Sequence, residues 1–381
     1  MEHAFTSTMV EILRKEFGKA ANDVLQSSPL LQYLNIKTRS AARGSKSRGA
    51  FANHYAVYVL VEDYVKKGYL KKRGYAKYEG ARFTDLLRRQ RELPFGAKLQ
   101  NHALNSRMND EFRKYFPSSP FIPITRNVTT NRYWINEKLL VIEIAGKKYN
   151  IAPSIIKIID AYVAAKRDAF ETFIAACEKL QRLKAAELSE VQAFIKDLLQ
   201  PNVDARVFEI VSFGILRHFY AGQAIYWGWS MGEINEECLT LYKTGRTNAN
   251  DGGIDFVMRP LGRFFQVTET TDVRKYLLDI DKVQKYPITF VIKSEVSVPD
   301  LTKRMQKQAR EAYGVDEIVR RYMGCVEEII NIPVLLDRFD TVVKEGKLPD
   351  VLNEVIVHSK VEFHYQENPT ARAESRDAER F

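Results

Sequence analysis

The chain has 381 residues and a net charge of +10 at pH 7; 45% of its residues are hydrophobic and 28% are charged. This composition is typical of a globular protein with one large core or two to three smaller ones. The sequence contains no apolar run long enough for a membrane span and no secretory signal, so we expect no membrane partner. Three widely spaced cysteines form neither a metal-ligand spacing nor a disulfide framework, which favours a cytoplasmic location.

The positive charge is concentrated in the first part of the chain. Residues 1–150 contain 27 Lys and Arg against 13 Asp and Glu, a net charge of +14, whereas the remainder contains 31 against 35, a net charge of −4. A basic region beside a region rich in carboxylates indicates that the chain binds a polyanion, and we expect double-stranded DNA. A well-solvated surface is the alternative.

The predicted elements divide the chain into three regions. Residues 1–150 read as a basic, mostly helical DNA-binding region, with helices at 5–34, 52–68 and 99–115 and a hairpin at 138–151 that turns at Ala145-Gly146. Residues 151–300 read as a catalytic α/β core with a helical lead-in, followed by a helix at 205–220, strands at 238–246, 254–259 and 263–269, a helix at 272–284 and a strand at 287–293. Residues 301–381 are predicted to be helical, with a disordered tail from about Gln366.

The central hairpin carries two candidate metal ligands. Asp255 opens its first strand and Gln266 lies on its second. If residues 261–262 form a two-residue turn, Asp255 pairs with Thr268. Because side chains alternate along a strand, Asp255, Gln266 and Thr268 then share one face, whereas Glu269 points the other way and is not counted as a ligand.

Glu209 is the candidate for the further carboxylate that the site needs. It is the only acid in the mostly apolar run 207–213, where a carboxylate is costly unless it has a partner or a functional role. The alternative is a solvent-facing position or a pair with Arg206. Hard cations prefer oxygen ligands, so Asp255, Gln266 and Glu209 predict a Mg²⁺ site in which Mn²⁺ substitutes.

These residues resemble the motifs of a nuclease family. Phe208-Glu209 on a helix, the segment Asp251-Gly-Gly-Ile-Asp255 before a hairpin, and Gln266 on the next strand resemble the PD-(D/E)xK nuclease superfamily, most closely its Mrr-like branch. The similarity covers about residues 205–293; residues 93–96 and 99–112 are similar to a type II restriction endonuclease of the ApaLI-like kind. The resemblance implies an α/β (α+β mixed) fold with a mixed sheet flanked by helices, and Mg²⁺-dependent hydrolysis of phosphodiester bonds that leaves 5′-phosphate ends.

The resemblance also assigns roles and exposes one departure. Glu209 would match the helix acid of the family, Asp255 its central metal aspartate and Gln266 its third site. The family's lysine should stand where this chain has Thr268. Three interpretations follow: a lysine from elsewhere replaces it, Lys275 on the next helix first and Lys243 on the preceding strand second; a metal-bound water does without it; or the site is inactive.

Candidate DNA contacts fall into three groups of basic residues. Arg and Lys are the usual ligands of phosphate groups. The groups are a small basic loop with Arg39, Arg43, Lys46 and Arg48, a dense cluster with Lys71, Lys72, Arg73, Lys77, Arg82, Arg88 and Arg89, and a pair near the predicted site, Arg246 and Arg263. Tyr75 and Tyr78 either stack on the nucleic acid or belong to the core, and an ordinary solvated surface is the alternative for each cation.

The sequence therefore predicts a type II restriction endonuclease that makes sequence-specific double-strand cuts. Most symmetric target sites call for a two-fold enzyme, so we expect a homodimer. A modification-dependent or repair-type Mrr-like nuclease is one alternative. A non-catalytic DNA-binding protein on a degenerate nuclease fold is the other, and Thr268 keeps it open.

Overall fold

The computed structural model describes residues 2–39, 47–97, 99–181, 188–201, 203, 205–244, 254–269, 273–282 and 286–363. Two compact units divide the chain, Met1–Phe173 and Ile174–Phe381. The fold mixes helices and sheets, as the sequence predicts. Among the described helices, none combines the length and the apolar character that crossing a bilayer requires. The predicted tail beyond Gln366 lies outside the described residues.

The first unit is a helical assembly around a small antiparallel sheet. Its helices are α1 (Ala4–Phe17), α2 (Ala21–Ser27), α3 (Pro29–Thr38), α4 (Ser47–Lys66), α5 (Phe83–Glu92), α6 (Met108–Tyr115) and the first part of α7 (Ala152–Gln181). Its strands are β1 (Ala81–Arg82), β2 (Ile124–Asn127), β3 (Arg132–Ile135), β4 (Val141–Ile144) and β5 (Lys147–Asn150), with the first three ordered β1-β3-β2. The predicted β4–β5 hairpin and its turn at Ala145-Gly146 are confirmed.

The second unit is a five-stranded mixed sheet flanked by helices. Its helices are α8 (Leu188–Leu198), α9 (Ala205–Tyr220), α10 (Val273–Lys282), α11 (Val298–Tyr313), α12 (Asp316–Met323), α13 (Ile332–Lys344) and α14 (Leu348–Phe363). Its strands are β6 (Ala224–Trp227), β7 (Asn235–Cys238), β8 (Thr240–Lys243), β9 (Phe256–Arg259), β10 (Arg263–Thr268), β11 (Ile288–Ile292) and β12 (Val326–Ile330). The sheet order is β12-β11-β10-β9-β8; β8, β9 and β10 are antiparallel neighbours, and β10, β11 and β12 are parallel.

Apolar alternation on β9 and β10 fixes which face of the sheet receives α9. Phe256 and Phe265 stand opposite each other and are both fully buried. The ring of Phe256 contacts that of Phe213, and the ring of Phe265 contacts that of Tyr220, both on α9. Helix α9 therefore covers the face to which Phe256 and Phe265 point.

The opposite face of the sheet receives α10, α11 and α12. Every residue of β11 is buried, as expected for a strand that lies between two parallel neighbours under helices. Phe290 on β11 packs against Tyr276 of α10, and Phe264 joins the same cluster. Residues of β10 that alternate with Phe265 therefore point away from α9.

The β9–β10 hairpin differs from its predicted register. Phe256 pairs with Phe265, which is two residues earlier on β10 than predicted, and Asp255 lies just before the paired residues with its main-chain N–H donating to Phe265 O. The turn contains four residues, 259–262, and not two. The predicted pairing is therefore wrong. An even shift preserves the alternation along β10, so Gln266 and Thr268 still share a face, but the predicted sharing of that face with Asp255 is also wrong, because Asp255 lies beside Glu209 on the α9 side.

Residues beyond position 300 complete this sheet and are not only helical. Strand β12 pairs in parallel with β11, with Val291 opposite Ile330. Its sequence, Val-Glu-Glu-Ile-Ile, lacks strict alternation and lies between helices, so no strand pattern marks it. The β6–β7 hairpin and the short strands β1 to β3 were also not predicted, and none of them exceeds four residues.

Candidate active site

Glu209 is buried on α9 and both of its carboxylate oxygens are bound by cations. It is 5% exposed. Lys243 Nζ on β8 lies 2.8 Å from its Oε1, and Arg206, one helical turn earlier, bonds its Oε2. Arg206 also lies 3.8 Å from Glu362 on α14. The predicted pair with Arg206 is present, and Lys243 is a second cation that the sequence did not connect to Glu209.

Asp255 lies where β9 begins, close to Glu209. Its Oδ2 accepts a hydrogen bond of 2.7 Å from the main-chain N–H of Val267. Burial and then the negative charge of Glu209 raise the pKa of Asp255 to about 7, against the opposing effects of the Val267 hydrogen bond and of two cations, Arg206 and Lys243. The structure thus brings the two predicted carboxylates into electrostatic contact.

Gln266 stands beside this pair but is directed to the other face of the sheet. It pairs with Phe290 of β11, whose side chain packs against α10. Its Nε2 donates to the carbonyl of Val267 at 3.3 Å. Its Oε1 is buried and accepts no hydrogen bond from any residue that the structure describes. Gln266 therefore holds an unsatisfied oxygen one residue away from the N–H that binds Asp255.

Thr268 stands where the resemblance predicts a lysine, and three lysines are relevant to that prediction. The side chain of Lys275, the first candidate, lies outside the described residues, and Lys243, the second, contacts Glu209. Lys293, which was not among the predicted candidates, follows β11, and its main-chain N–H donates to Thr268 O at 2.9 Å. A lysine that ends an otherwise apolar strand was the signal that could have identified it.

Lys293 is enclosed by its own partners. Its side chain is 2% exposed, its Nζ lies 2.6 Å from Glu269 Oε1, and it also bonds the carbonyl of Val203. It lies 6.0 Å from the ring centre of Phe208 on α9. Glu269 does point away from Gln266, as predicted, and that direction is the α9 side on which Glu209 lies.

The donor atoms fit a hard divalent cation. Desolvation, and then the charge of Glu209, raise the pKa of Asp255, and a cation between the two carboxylates would relieve their mutual repulsion. Gln266 Oε1, a neutral oxygen without a hydrogen-bond partner among the described residues, lies on the opposite face and is not placed to join these two carboxylates. No three His, Cys, Asp or Glu side chains among the described residues converge on one point, so a cation between Glu209 and Asp255 would take its further ligands from water.

We expect the ionisation of Asp255 to make the thermal stability of the protein depend on pH and on Mg²⁺. Its folded pKa is raised above the ordinary value of 3.8, so it favours folding at pH below about 4, and that contribution is lost as the pH rises to about 7. Mg²⁺ should therefore raise Tm more at pH 8 than at pH 6, because the cation binds the ionised carboxylate. Scanning fluorimetry of wild type and Asp255→Asn at both pH values measures this; equal Mg²⁺ effects in the two proteins would contradict it.

The dense basic cluster of the first unit is built on packed tyrosines. Tyr75 is 6% exposed, and its ring centre lies 4.8 Å from that of Tyr64 and 4.9 Å from that of Tyr69. Tyr78 stacks on Tyr75 and donates to Asp63 at 2.7 Å. Of the two interpretations of Tyr75 and Tyr78, the structure places both in the core, where they support the loop that follows α4.

That loop presents cations to solvent. Four residues are exposed and have no acidic partner within ion-pair distance in the described ranges; they are Lys71, Lys72, Arg73 and Lys77, and we call them the basic loop. Lys72 lies 5.4 Å from the ring centre of Tyr69. Because its tyrosine support is already packed, the basic loop needs little ordering before it contacts a polyanion.

Other predicted DNA contacts have protein partners. Arg89 forms a two-pronged pair with Glu62, at 2.9 and 3.0 Å, and Arg88 lies 2.9 Å from Asp85. Arg263 is largely buried between Glu327 and Glu328 and so does not face solvent beside the site. Arg39 and Arg82 are exposed. The side chains of Arg43, Lys46, Arg48 and Arg246 lie outside the described residues.

Comparison of this chain with protein-family models, with curated proteins and with solved structures gives no match. The function of the chain is therefore inferred from its own residues. These are an acid pair between α9 and the start of β9, a lysine that contacts one of the two acids, and an exposed basic loop in the first unit.

Proposed function

We propose that this chain is a Mg²⁺-dependent endonuclease that cleaves double-stranded DNA. The observation that carries the proposal is the pair of Glu209, which is buried, and Asp255, whose pKa is raised to about 7 by desolvation first and by the charge of Glu209 second. Such perturbed acids concentrate at functional sites. The net charge of +14 in residues 1–150 supports a polyanionic substrate.

Glu209 and Asp255 would hold the cation, with water as its further ligands, because Gln266 points to the opposite face of the sheet. The bound cation supplies charge neutralisation at the scissile phosphate and a lower pKa for the attacking water. Asp255 has a second oxygen, Oδ1, that accepts no hydrogen bond from a described residue. An ionised Asp255 would be able to receive a proton there from an attacking water.

Lys243 is our choice for the role of the missing family lysine. Its ammonium group lies 2.8 Å from Glu209, and its side chain is 15% exposed. Lys293 is more deeply buried and is already engaged by Glu269. Lys243 is therefore placed to offset the negative charge that develops on a phosphate at this edge, whereas Lys293 is placed to hold the end of β11 against α9.

Incubation with phage DNA and Mg²⁺ tests the proposal. Discrete bands on a gel, absent when EDTA is added, are the expected result and would indicate sequence-specific double-strand cuts of the type II restriction kind. Cleavage confined to methylated DNA would instead indicate a modification-dependent enzyme. Failure of the wild-type protein to nick any DNA with Mg²⁺ or Mn²⁺ would overturn the nuclease proposal.

One observation favours a second function, that of a non-catalytic DNA-binding protein. Both oxygens of Glu209 are already paired, with Lys243 and with Arg206, so the cluster satisfies itself without a cation. On this view the acid pair joins α9 to the sheet, and the basic loop alone provides the activity. Mg²⁺ would then leave Tm unchanged at pH 8 while DNA binding persists.

The basic loop yields a separate prediction about DNA binding. Replacing Lys71, Lys72 and Arg73 together by alanine is expected to weaken binding uniformly across sequences and to reduce the slope of log K against log salt by about 3, because each phosphate contact contributes roughly 0.9. The matched control is the triple alanine variant of Lys303, Arg304 and Lys307 on α11. These three side chains are exposed, and their replacement removes the same charge. Fluorescence anisotropy over a salt series measures both; an equal loss in the control would contradict the prediction.

A further inference from the structure

The β6–β7 hairpin is an apolar arm outside the five-stranded sheet. Its two strands pair only with each other in the described structure. The exposed fractions of its large apolar side chains are 70% for Tyr226, 90% for Trp229, 90% for Met231 and 50% for Ile234. An isolated two-stranded hairpin is marginal in water, and aromatic residues and Met are the side chains enriched where proteins associate. The arm therefore needs a covering surface that the described chain does not supply.

The two strands of the hairpin approach each other closely near its tip. At Gly228 an added Cβ would collide with the carbonyl oxygen of Glu233, so the two strands approach closely there. Trp227 donates its Nε1–H to Glu237 at 2.9 Å, and its ring meets that of Trp229 edge to face at 6.3 Å. Trp229 therefore contacts the ring of Trp227 and exposes most of its own indole to solvent.

Charge selects the partner of this arm. Residues 224–238 contain three glutamates and no Lys, Arg or His, so the arm carries a net charge of −3. Phosphate backbones and anionic lipid headgroups would repel it. Two such arms would also repel each other. The complementary surface is a basic protein surface, and residues 1–150 of this same chain carry a net charge of +14.

We propose that the β6–β7 hairpin docks on the basic N-terminal unit of a second copy of this chain and forms its homodimer. Trp229 and Met231 are the apolar anchors, and Glu233 and Glu236 give the contact its charge. A two-fold arrangement uses the same exchange twice, with each arm on the partner's N-terminal unit. The inference stands independently of the proposed nuclease activity, because its test measures association and not cleavage.

The test is the mass of the full chain in solution, by sedimentation or light scattering at micromolar concentration. Wild type is expected to be a dimer, and Trp229→Ser with Met231→Ser a monomer with an unchanged far-UV spectrum. Val361→Ser, on α14 of the second unit at a side chain that is 58% exposed, is the matched control and should remain dimeric. Glu233→Lys with Glu236→Lys should weaken the dimer at least tenfold without touching the apolar anchors.

A photo-reactive amino acid at position 229 identifies the surface reached. Cross-links between two chains that map to residues 1–173 are expected. A monomeric wild type, a dimer unaffected by the double serine variant, or cross-links from one hairpin to the other would each overturn the proposal. A double serine variant that loses DNA binding but remains a dimer would also overturn the proposal, because the arm would then contact nucleic acid.

Discussion

Asp255→Asn is expected to lower the rate of DNA cleavage by at least about 10³-fold, the scale of loss when one member of a catalytic unit is removed. Asparagine keeps the size of the side chain and an oxygen that can accept the Val267 N–H, but it removes the ionised form that binds a cation and accepts a proton. DNA binding in Ca²⁺ should persist. Single-turnover cleavage of a plasmid, alongside anisotropy of a labelled duplex, measures the two effects separately.

The control for this variant is Glu311→Gln on α11. Glu311 is 63% exposed and lies at the limit of ion pairing with Lys307, so its loss changes the net charge equally without touching the acid pair. Cleavage by Glu311→Gln should match wild type. Undiminished cleavage by Asp255→Asn would show that the acid pair is not the catalytic centre, whatever the chain does to DNA.

Lys243→Met is expected to lower the cleavage rate by about 10²- to 10³-fold, as the loss of one group that stabilises charge in the transition state does. Methionine retains most of the apolar stem and removes only the ammonium group. Because Lys243 also opposes the rise in the pKa of Asp255, its loss should move the acid limb of the pH–rate profile to higher pH. Steady-state rates at a series of pH values measure both consequences.

Lys293→Met is the matched comparison. Lys293 is the deeper of the two lysines and bonds Glu269 and the carbonyl of Val203, so its replacement should reduce Tm. Its effect on the cleavage rate, measured well below Tm, should be small. If Lys293→Met removed cleavage while Lys243→Met did not, Lys293, which lies beside Thr268, would have the charge-offsetting role that we propose for Lys243.

Local sequence patterns predicted the fold around the site well. Helix α9 has the predicted bounds 205–220, and β9, β10, α10 and β11 each begin and end within two residues of expectation. These elements have either a clear amphipathic period or an uninterrupted apolar run. Strand β12 was beyond reach because Val-Glu-Glu-Ile-Ile becomes a strand only when β11 is beside it, and that contact spans more than thirty residues of chain.

The two acids of the candidate site could be predicted from the sequence, and their cationic partners could not. A lone glutamate in an apolar run and an aspartate at the start of a hairpin are both visible in one sequence, so Glu209 and Asp255 could be paired from the residues alone. Their partners could not, because Lys243 meets Glu209 through packing of β8 on α9. The face of Gln266 was likewise hidden: strand alternation groups side chains, but only the tertiary packing of Phe256 and Phe290 shows which helix each group meets.

The late position of β12 has a consequence for synthesis of the protein. A nascent chain that has been translated to residue 300 contains every proposed ligand, yet it exposes the apolar edge of β11 because β12 has not been made. Such an edge recruits other strands and does not remain open. The chain should therefore depend on chaperones during this interval, and a messenger truncated there should yield aggregates rather than an active fragment.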